Sequence, residues 1–308
     1  MRAFLVYNPV AGRRFNRRAL QEAISYLRGQ GLALDIEHTL APGQATQLAR
    51  RAADQGYDLV VACGGDGTVS EVANGLAGSS VPMGVLPAGT VNIWATEAGI
   101  PRRPLAAARV LLEGDIRSVD LGAAGLRYFL LMAGVGLDGA IVRDLKPPVK
   151  RHLGRAAYIL TGALTIAGFK GSRVVLLVDG QRLDRHVVWI VLGNTRLYGG
   201  VVTVTPHARA DDGLLDLCIF PGRGFWASAG YLAALLAGKH LSLKGVEYRP
   251  CKEVCVESGR PLPIQADGDA IGYTPQTFRV AAGALRVVVP PGGGRKIFSQ
   301  ESSLGRAA

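Results

Sequence analysis

The feature that most constrains the fold of this chain is the run Asp58-Leu59-Val60-Val61-Ala62-Cys63-Gly64-Gly65-Asp66-Gly67-Thr68-Val69-Ser70-Glu71-Val72-Ala73-Asn74-Gly75-Leu76. Its first part is short, apolar and rich in β-branched residues, as a buried strand is, and Val69, Val72, Ala73 and Leu76 then recur at helical spacing. Between strand and helix stand Gly64, Gly65 and Gly67, which can take backbone angles closed to other residues and let a ligand approach the main chain. The helix that follows offers unpaired N–H groups to an anion, so the segment reads as a phosphate cradle. An acid inside a phosphate cradle needs a partner, and for Asp66 that partner is a magnesium ion or a ribose or substrate hydroxyl. The competing reading is an ordinary βα turn in which Asp66 caps the helix.

The same grammar recurs along the first half. Ala3 to Tyr7 reads as a strand, Asn8 to Gly12 as a loop, and Arg14 to Gln30 as a basic amphipathic helix with Leu20, Ala23, Ile24 and Leu27 inward. Alternation continues through Leu34 to Thr39, Gly43 to Gln55, Leu59 to Cys63, the helix after Thr68, and Met83 to Pro87, which argues for a doubly wound parallel sheet. Ligands of such sheets bind beyond the strand carboxyl ends, where Asn8, Pro9, Val10, Ala11, Gly12, Thr39 and the Gly64 to Ser70 turn all fall. A second glycine turn, Pro87-Ala88-Gly89-Thr90-Val91-Asn92, adds Gly89, Thr90 and Asn92, with Thr90 open to a simpler role as an N-cap. No Gly-x-Gly-x-x-Gly follows a strand, which disfavours hydride chemistry.

Gly64-Gly65-Asp66-Gly67-Thr68 resembles the signature of the diacylglycerol kinase catalytic-domain family, which includes bacterial lipid kinases and the sphingosine and ceramide kinases, with NAD kinases as distant relatives. Its neighbours agree: Asn8-Pro9-Val10-Ala11-Gly12 stands where the family has its first nucleotide loop, and Pro87 to Asn92 where it has its third. Val91 and Ile93-Trp94 depart from the family pattern. The resemblance implies an ATP-dependent kinase whose nucleotide contacts Asn8 to Gly12, Thr39, Gly64, Gly65, Asp66, Gly67, Thr68, Val69, Ser70, Gly89, Thr90 and Asn92.

From about Asp120 strands predominate: Phe129 to Ala133, Arg173 to Val178, Val187 to Leu192, Leu214 to Phe220, Val254 to Glu257 and Ala284 to Val289. The resemblance makes this half a β-sandwich packed over the nucleotide domain across a cleft, and gives boundaries of 1–122, 123–290 and a tail, 291–308, that is flexible or returns to the first domain. Val191 to Gly200 and Pro206 to Asp216 resemble its characteristic runs. Asp211-Asp212-Gly213 reads equally as a turn on residue type alone, but the family implies a structural magnesium held by the Asp212 carboxylate and the carbonyls of Arg209 and Leu214. Gln265-Ala266-Asp267-Gly268-Asp269 has the backbone signature of a hairpin turn. In the family the same place is Asp-Gly-Glu, its last acid taking the proton from the substrate hydroxyl. Asp269 occupies that position one methylene short, and the assignment of the base to Asp269 or Asp267 stays open.

The formal charge of +11 favours anionic partners without choosing among them. At 6% aromatics no basic patch is interleaved with stacking rings, which argues against nucleic acid. No apolar run reaches the roughly 20 residues of a spanning helix, Met1 to Tyr7 is too short for a signal peptide, and Cys63, Cys218, Cys251 and Cys255 lack zinc spacing, so the expectation is a reduced cytoplasmic protein with peripheral membrane association. Apolar helices with basic flanks, Arg143 to Phe169 and Arg223 to His240, suit an anionic interface from which a lipid is drawn, and equally suit helices packed on the sandwich. The expected reaction is Mg²⁺-dependent transfer from ATP to a diacylglycerol-like lipid, with a second copy of the chain as a candidate partner. The rivals are a soluble-substrate kinase of the NAD kinase type and a non-catalytic nucleotide or lipid binder.

Overall fold

The structure is a computed structural model and describes residues 1–12, 16–144, 165, 168–294 and 296–299. The first half alternates as expected: β1 (Arg2–Tyr7), α1 (Arg17–Gly29), β2 (Ala33–His38), α2 (Gln44–Asp54), β3 (Leu59–Gly64), α3 (Asp66–Leu76), β4 (Met83–Pro87), α4 (Ile93–Glu97) and α5 (Pro104–Glu113). The strands β2-β1-β3-β4 lie in that order and pair in parallel. Every residue of β3 and β4 is buried, because helices cover both faces of a parallel sheet. The inner face of α1 is Leu20, Ala23 and Leu27, with Ile24 partly buried at its edge.

The second half is built from β5 (Asp115–Ala124), β6 (Arg127–Phe129), β7 (Met132–Gly136), α6 (Leu137–Asp144), β8 (Ser172–Val178), β9 (Gln181–Gly193), β10 (Leu197–Tyr198), β11 (Val202–Thr203), β12 (Leu215–Pro221), α7 (Gly224–Leu236), β13 (Glu247–Cys251), β14 (Glu253–Ser258), β15 (Pro263–Ala266), β16 (Asp269–Tyr273) and β17 (Gln276–Val289). Its pairings are antiparallel, and its own core gathers Phe129, Ile190, Leu192, Leu217 and Phe278.

Three local expectations change. The last strand begins at Gln276, eight residues before the expected start; it pairs with β14 at its start and with β5 through Val289, and it meets β4 in parallel at Val287 and Met83. One long strand therefore stitches the parallel and antiparallel parts into a continuous hydrogen-bonded network. β5 runs through position 122 to Ala124, so the expected domain boundary falls inside a strand. The single strand expected over Phe129 to Ala133 is two, interrupted at Leu130 and Leu131.

In the tail, where flexibility was one of two expectations, Ile297 and Phe298 are buried. Phe298 meets Trp94 edge to face, with ring centroids 6.4 Å apart, and lies under the Arg117 guanidinium. The start of the helix expected at Arg14, most of the stretch Arg143 to Phe169 and the chain after 299 lie outside the described residues. All four cysteines are free, and burial pushes the thiols of Cys63, Cys218 and Cys251 up to about 12, so they are packing residues.

Candidate functional site

The three loops converge because β1, β3 and β4 are adjacent and parallel, so their carboxyl ends share one edge of the sheet. Asn8 ties the first loop to the second: its amide N–H donates to Cys63 O, and its side-chain Nδ2 donates to Thr68 Oγ1 at 3.0 Å. Its Oδ1 accepts from Val10 N, which turns Pro9 and Val10 toward solvent, and Gly12 closes the loop with φ +66°. Thr39 is held at the same edge by its N–H to Tyr7 O.

The glycine turn is tighter than its composition alone implies. A Cβ on Gly89 would come within 2.5 Å of Gly65 Cα, so the second and third loops touch through bare backbone. Thr68 packs over Gly64, where a Cβ would overlap its side chain. Asn92, at φ +54°, folds both ends of its amide back on Gly89, with Oδ1 accepting from Gly89 N and Nδ2 donating to Gly89 O, each at 2.9 Å. Its side chain thus shapes the third loop, leaving Thr90, which is exposed, to face outward.

The helix begins at Asp66 and not after Thr68, with Gly65 as its uncapped N-terminus. Asp66 caps a different helix: Oδ1 accepts from Trp94 N at 3.2 Å, at the start of α4. Burial raises its carboxyl above the ordinary aspartate range. The amides of Trp94, Ile93 and Asn92 pull the other way, and the nearby Asp267 adds to the rise.

Asp267 and Asp269 sit on the β15–β16 hairpin, whose turn residues Asp267 and Gly268 have φ of +49° and +85°, the backbone expected of an Asp-Gly turn. Their environments differ sharply. The Asp267 carboxylate accepts four hydrogen bonds, from the amides of Leu130, Leu131 and Met132 at 2.8, 2.9 and 3.1 Å and from Ser70 Oγ at 2.8 Å. This explains the break between β6 and β7, since the Leu130 and Leu131 amides serve the carboxylate in place of a strand partner. Burial pushes Asp267 up, and the four donors oppose it. Asp269 is exposed, and its Oδ2 accepts from Arg127 at 2.6 Å.

In the loop after β11, Asp212 Oδ1 accepts from Leu214 N at 3.1 Å, the local bond of an Asx turn. The loop is fixed from outside by Asp120, whose carboxylate takes the amides of Gly213 at 2.6 Å and Gly283 at 2.7 Å, and by Asp211, which takes the amide and hydroxyl of Ser299. Asp212 is pushed up to about 6 by burial, with further contributions from Asp216, Asp120 and Asp211. Four acids crowded at one loop are the electrostatic setting of a cation. Among the described residues no three His, Cys, Asp or Glu side chains converge as a ligand set, so a cation here would draw on backbone carbonyls as well as Asp212.

Several residues that hold the two halves together were not singled out from the sequence. Asn74 donates to Ser70 O and Tyr128 O and accepts from Tyr128 N, joining α3 to β6. Glu97 is fully buried and receives the Arg196 guanidinium at 3.0 Å together with the amides of Arg196 and Leu197. A buried network joins Asp138 to Tyr198 and Gln265. The available signal was a lone acid or amide inside an otherwise apolar element, which marks a residue needing a partner without saying which one.

Residues 2–124 match the family described as diacylglycerol kinase catalytic domain, and residues 132–289 match the YegS C-terminal NAD kinase beta sandwich-like domain. The chain is 30% identical over 292 residues to a diacylglycerol kinase of Bacillus subtilis (strain 168), covering 94% of this chain and 96% of that protein. It is 30% identical over 292 residues to a diacylglycerol kinase of Staphylococcus carnosus (strain TM300), covering 94% and 95%. Its fold superposes on the crystal structure of a diacylglycerol kinase from Bacillus anthracis str. Sterne with a TM-score of 0.78 at 26% identity, over 94% of this chain and 98% of that one.

Proposed function

This chain belongs to the diacylglycerol kinase family, and on that premise we propose that it transfers the γ-phosphoryl group of ATP to the free hydroxyl of a diacylglycerol-like lipid in a Mg²⁺-dependent reaction. Membership makes it a lipid kinase with ATP as phosphoryl donor; the acceptor, the metal and the residue roles are the proposal. The observation that carries it is the seating of the Asp267–Asp269 hairpin on α3 through the 2.8 Å Ser70–Asp267 bond. That contact ties the hairpin that carries the accessible Asp269 carboxylate to α3, the helix that opens at the second glycine loop.

In this reading the loops at Asn8 to Gly12, Gly64 to Thr68 and Gly89 to Thr90 bind the phosphates through main-chain N–H groups, with Gly65 and Gly89 leaving room for them to approach. Asp269 accepts the hydroxyl proton as the lipid oxygen bonds to the γ-phosphorus and the bond to the β-bridging oxygen breaks, releasing ADP. Asp267, whose lone pairs are already engaged by four donors, anchors the hairpin instead of acting as base. Asp66 stands between the second and third loops, placed for a hydroxyl or the cation that accompanies ATP. The donor set around Asp212 fits magnesium: the Asp212 carboxylate and the Arg209 and Leu214 carbonyls would hold it, relieving the repulsion among Asp120, Asp211, Asp212 and Asp216. Magnesium bound with the nucleotide supplies charge neutralisation on the β- and γ-phosphate oxygens.

The lipid is met at an anionic membrane surface through α7. No charged residue interrupts the chain from Gly224 to Gly238, yet Phe225, Trp226, Leu232 and Leu236 are 42, 84, 43 and 64% exposed. A helix apolar all round but half in solvent fits an apolar boundary, and Arg223 and Lys239 at its ends favour acidic head groups. Among the described residues no helix is long and apolar enough to cross a membrane.

The test is transfer from γ-labelled ATP to diacylglycerol, other neutral lipids and NAD. Phosphorylated diacylglycerol is expected, while label in NAD alone would overturn the substrate class.

A further inference from the structure

Behind the hairpin lies a buried polar chain that the reaction described above does not use. Asp138, in the first turn of α6, is 1% exposed, and it fits only because Gly134 opposite has no side chain: a Cβ there would overlap its Oδ2. Tyr198 OH donates to Asp138 Oδ1, and Gln265 Nε2 donates to Oδ2. Gln265, also 1% exposed, then accepts from Gly268 N through Oε1 at 2.8 Å. Gly268 is the residue between Asp267 and Asp269.

An amide side chain has two unlike ends, and its direction in a buried site is set by its neighbours. A carboxylate is an acceptor only, so Asp138 forces Gln265 to present Nε2 to it and Oε1 to the turn. Were Gln265 reversed, its NH₂ would face the Gly268 N–H, donor against donor at the end of a buried side chain. The hairpin is thus gripped from two sides. The Leu130 to Met132 amides hold the Asp267 side chain, and Gln265 holds the peptide that leads to Asp269.

We propose that Asp138 is a positioning residue for phosphoryl transfer: by fixing the direction of the Gln265 amide it fixes the Gly268 peptide and so the place of the Asp269 carboxylate. The inference rests on the assignment of Asp269 as proton acceptor. It explains why an acid stands where a neutral residue would be cheaper to bury, since among side chains of this size only a carboxylate accepts from both Tyr198 and Gln265.

The experiment exploits the polarity of the chain. In Asp138→Asn one of the two positions must carry an NH₂: facing Gln265 it opposes Nε2, so Gln265 reverses or loses its partner and the turn loses its acceptor, and facing Tyr198 it leaves that buried hydroxyl proton without the acceptor it had, so the grip on Gln265 is weakened either way. In Gln265→Glu two carboxyl groups face each other. In the double variant D138N/Q265E the amide introduced on α6 donates to the carboxylate introduced on β15. That carboxylate also accepts from Gly268 N, while the amide oxygen still accepts from Tyr198. Every donor–acceptor pair is restored, with the charge moved from one partner to the other.

Initial rates would be measured with MgATP and detergent-dispersed diacylglycerol, alongside thermal melts. Each single variant is expected to lose about 10- to 100-fold in kcat, the scale of a misplacement near 1 Å, with the KM for ATP little changed. The double variant is expected to recover to within about threefold of wild type. Failure of the double variant to recover, whether folded and slow or unfolded, overturns the proposal, as does an Asp138→Asn protein with wild-type kcat. If a single variant does not fold, recovery by the double variant still decides. An inactive wild type would instead refute the substrate assignment.

Discussion

Asp267 and Asp269 are two residues apart on one hairpin, and their asparagine variants are predicted to fail in opposite ways. Asp267→Asn keeps the side-chain shape, and asparagine tolerates the φ of +49° at that position, so backbone strain does not enter. What changes is the acceptor. Four donors at 2.8–3.1 Å point at the carboxylate, and an amide keeps one oxygen while turning an NH₂ toward the rest. Hydrogen bonds to charged groups contribute about 1.5–3 kcal/mol each and a buried donor left unmade costs a similar amount, so losing two of the four gives about 3–6 kcal/mol. For a chain of this size, with an unfolding entropy of about 2.1 cal/mol/K per residue, that is roughly 5–9 °C in Tm. Asp269→Asn loses only an ion pair with Arg127 whose side chains are 37 and 50% exposed. Such a pair contributes about 0–1 kcal/mol, so Tm should stay within about 2 °C while kcat falls about 10²- to 10⁴-fold through loss of the proton acceptor. Calorimetry and initial-rate kinetics at saturating MgATP on the same preparations would measure both. A fully active Asp269→Asn refutes the base assignment, and an Asp267→Asn protein that melts with wild type refutes the anchoring argument.

Magnesium should raise the Tm of the wild type at constant ionic strength but leave Asp212→Ala unmoved, and equal shifts in both would show that the 209–214 loop is only a turn. Glu97→Ala leaves the partly buried Arg196 guanidinium and the Leu197 amide without their acceptor and should cost about 3–5 kcal/mol in urea unfolding, more than any exposed ion pair in the molecule. Asp138 is raised to about 6 by burial, so between about pH 4 and 6 the native state binds more protons than the unfolded chain and this carboxyl's contribution to stability falls as pH rises. The Tm of Asp138→Asn relative to wild type should therefore improve from pH 4.5 to 7, and a constant difference would contradict the buried ionisation. Trp226→Glu with Leu236→Glu should abolish co-sedimentation with anionic vesicles and slow turnover of vesicle-borne lipid while sparing detergent-dispersed substrate; unchanged vesicle binding would remove α7 from the membrane surface.

Much of the fold was legible because its signals are local. Alternating apolar strands and amphipathic helices place β1 to β4, and the glycine turns after β3 and β4 were legible too, since glycine at Gly64, Gly65 and Gly89 is demanded by contacts within or between those turns. The Asp-Gly hairpin at 267–268 was equally readable from its own backbone preference. Less accessible were the extent of β17 and the break at Leu130 and Leu131. A strand's ends depend on what its amides pair with, and the Leu130 and Leu131 amides pair with a carboxylate 137 and 136 residues away in sequence.

The same distinction separates what the chain determined by itself from what its tertiary structure decided. The residue types and their spacing determined an α/β half with glycine turns at its strand ends, an antiparallel half and a pair of acids near the end of the chain. Which acid is enclosed by donors and which stays exposed could not be read there, because Asp267 and Asp269 have the same functional group and differ only in what folds around them. Ser70 reaches Asp267 across 197 residues, Arg127 reaches Asp269 across 142, and Gln265 reaches Asp138 across 127. Hydrogen bonds and burial act over a few ångströms of space and carry no record in sequence separation, so the roles of chemically identical side chains emerge only once the sheet has brought their partners together.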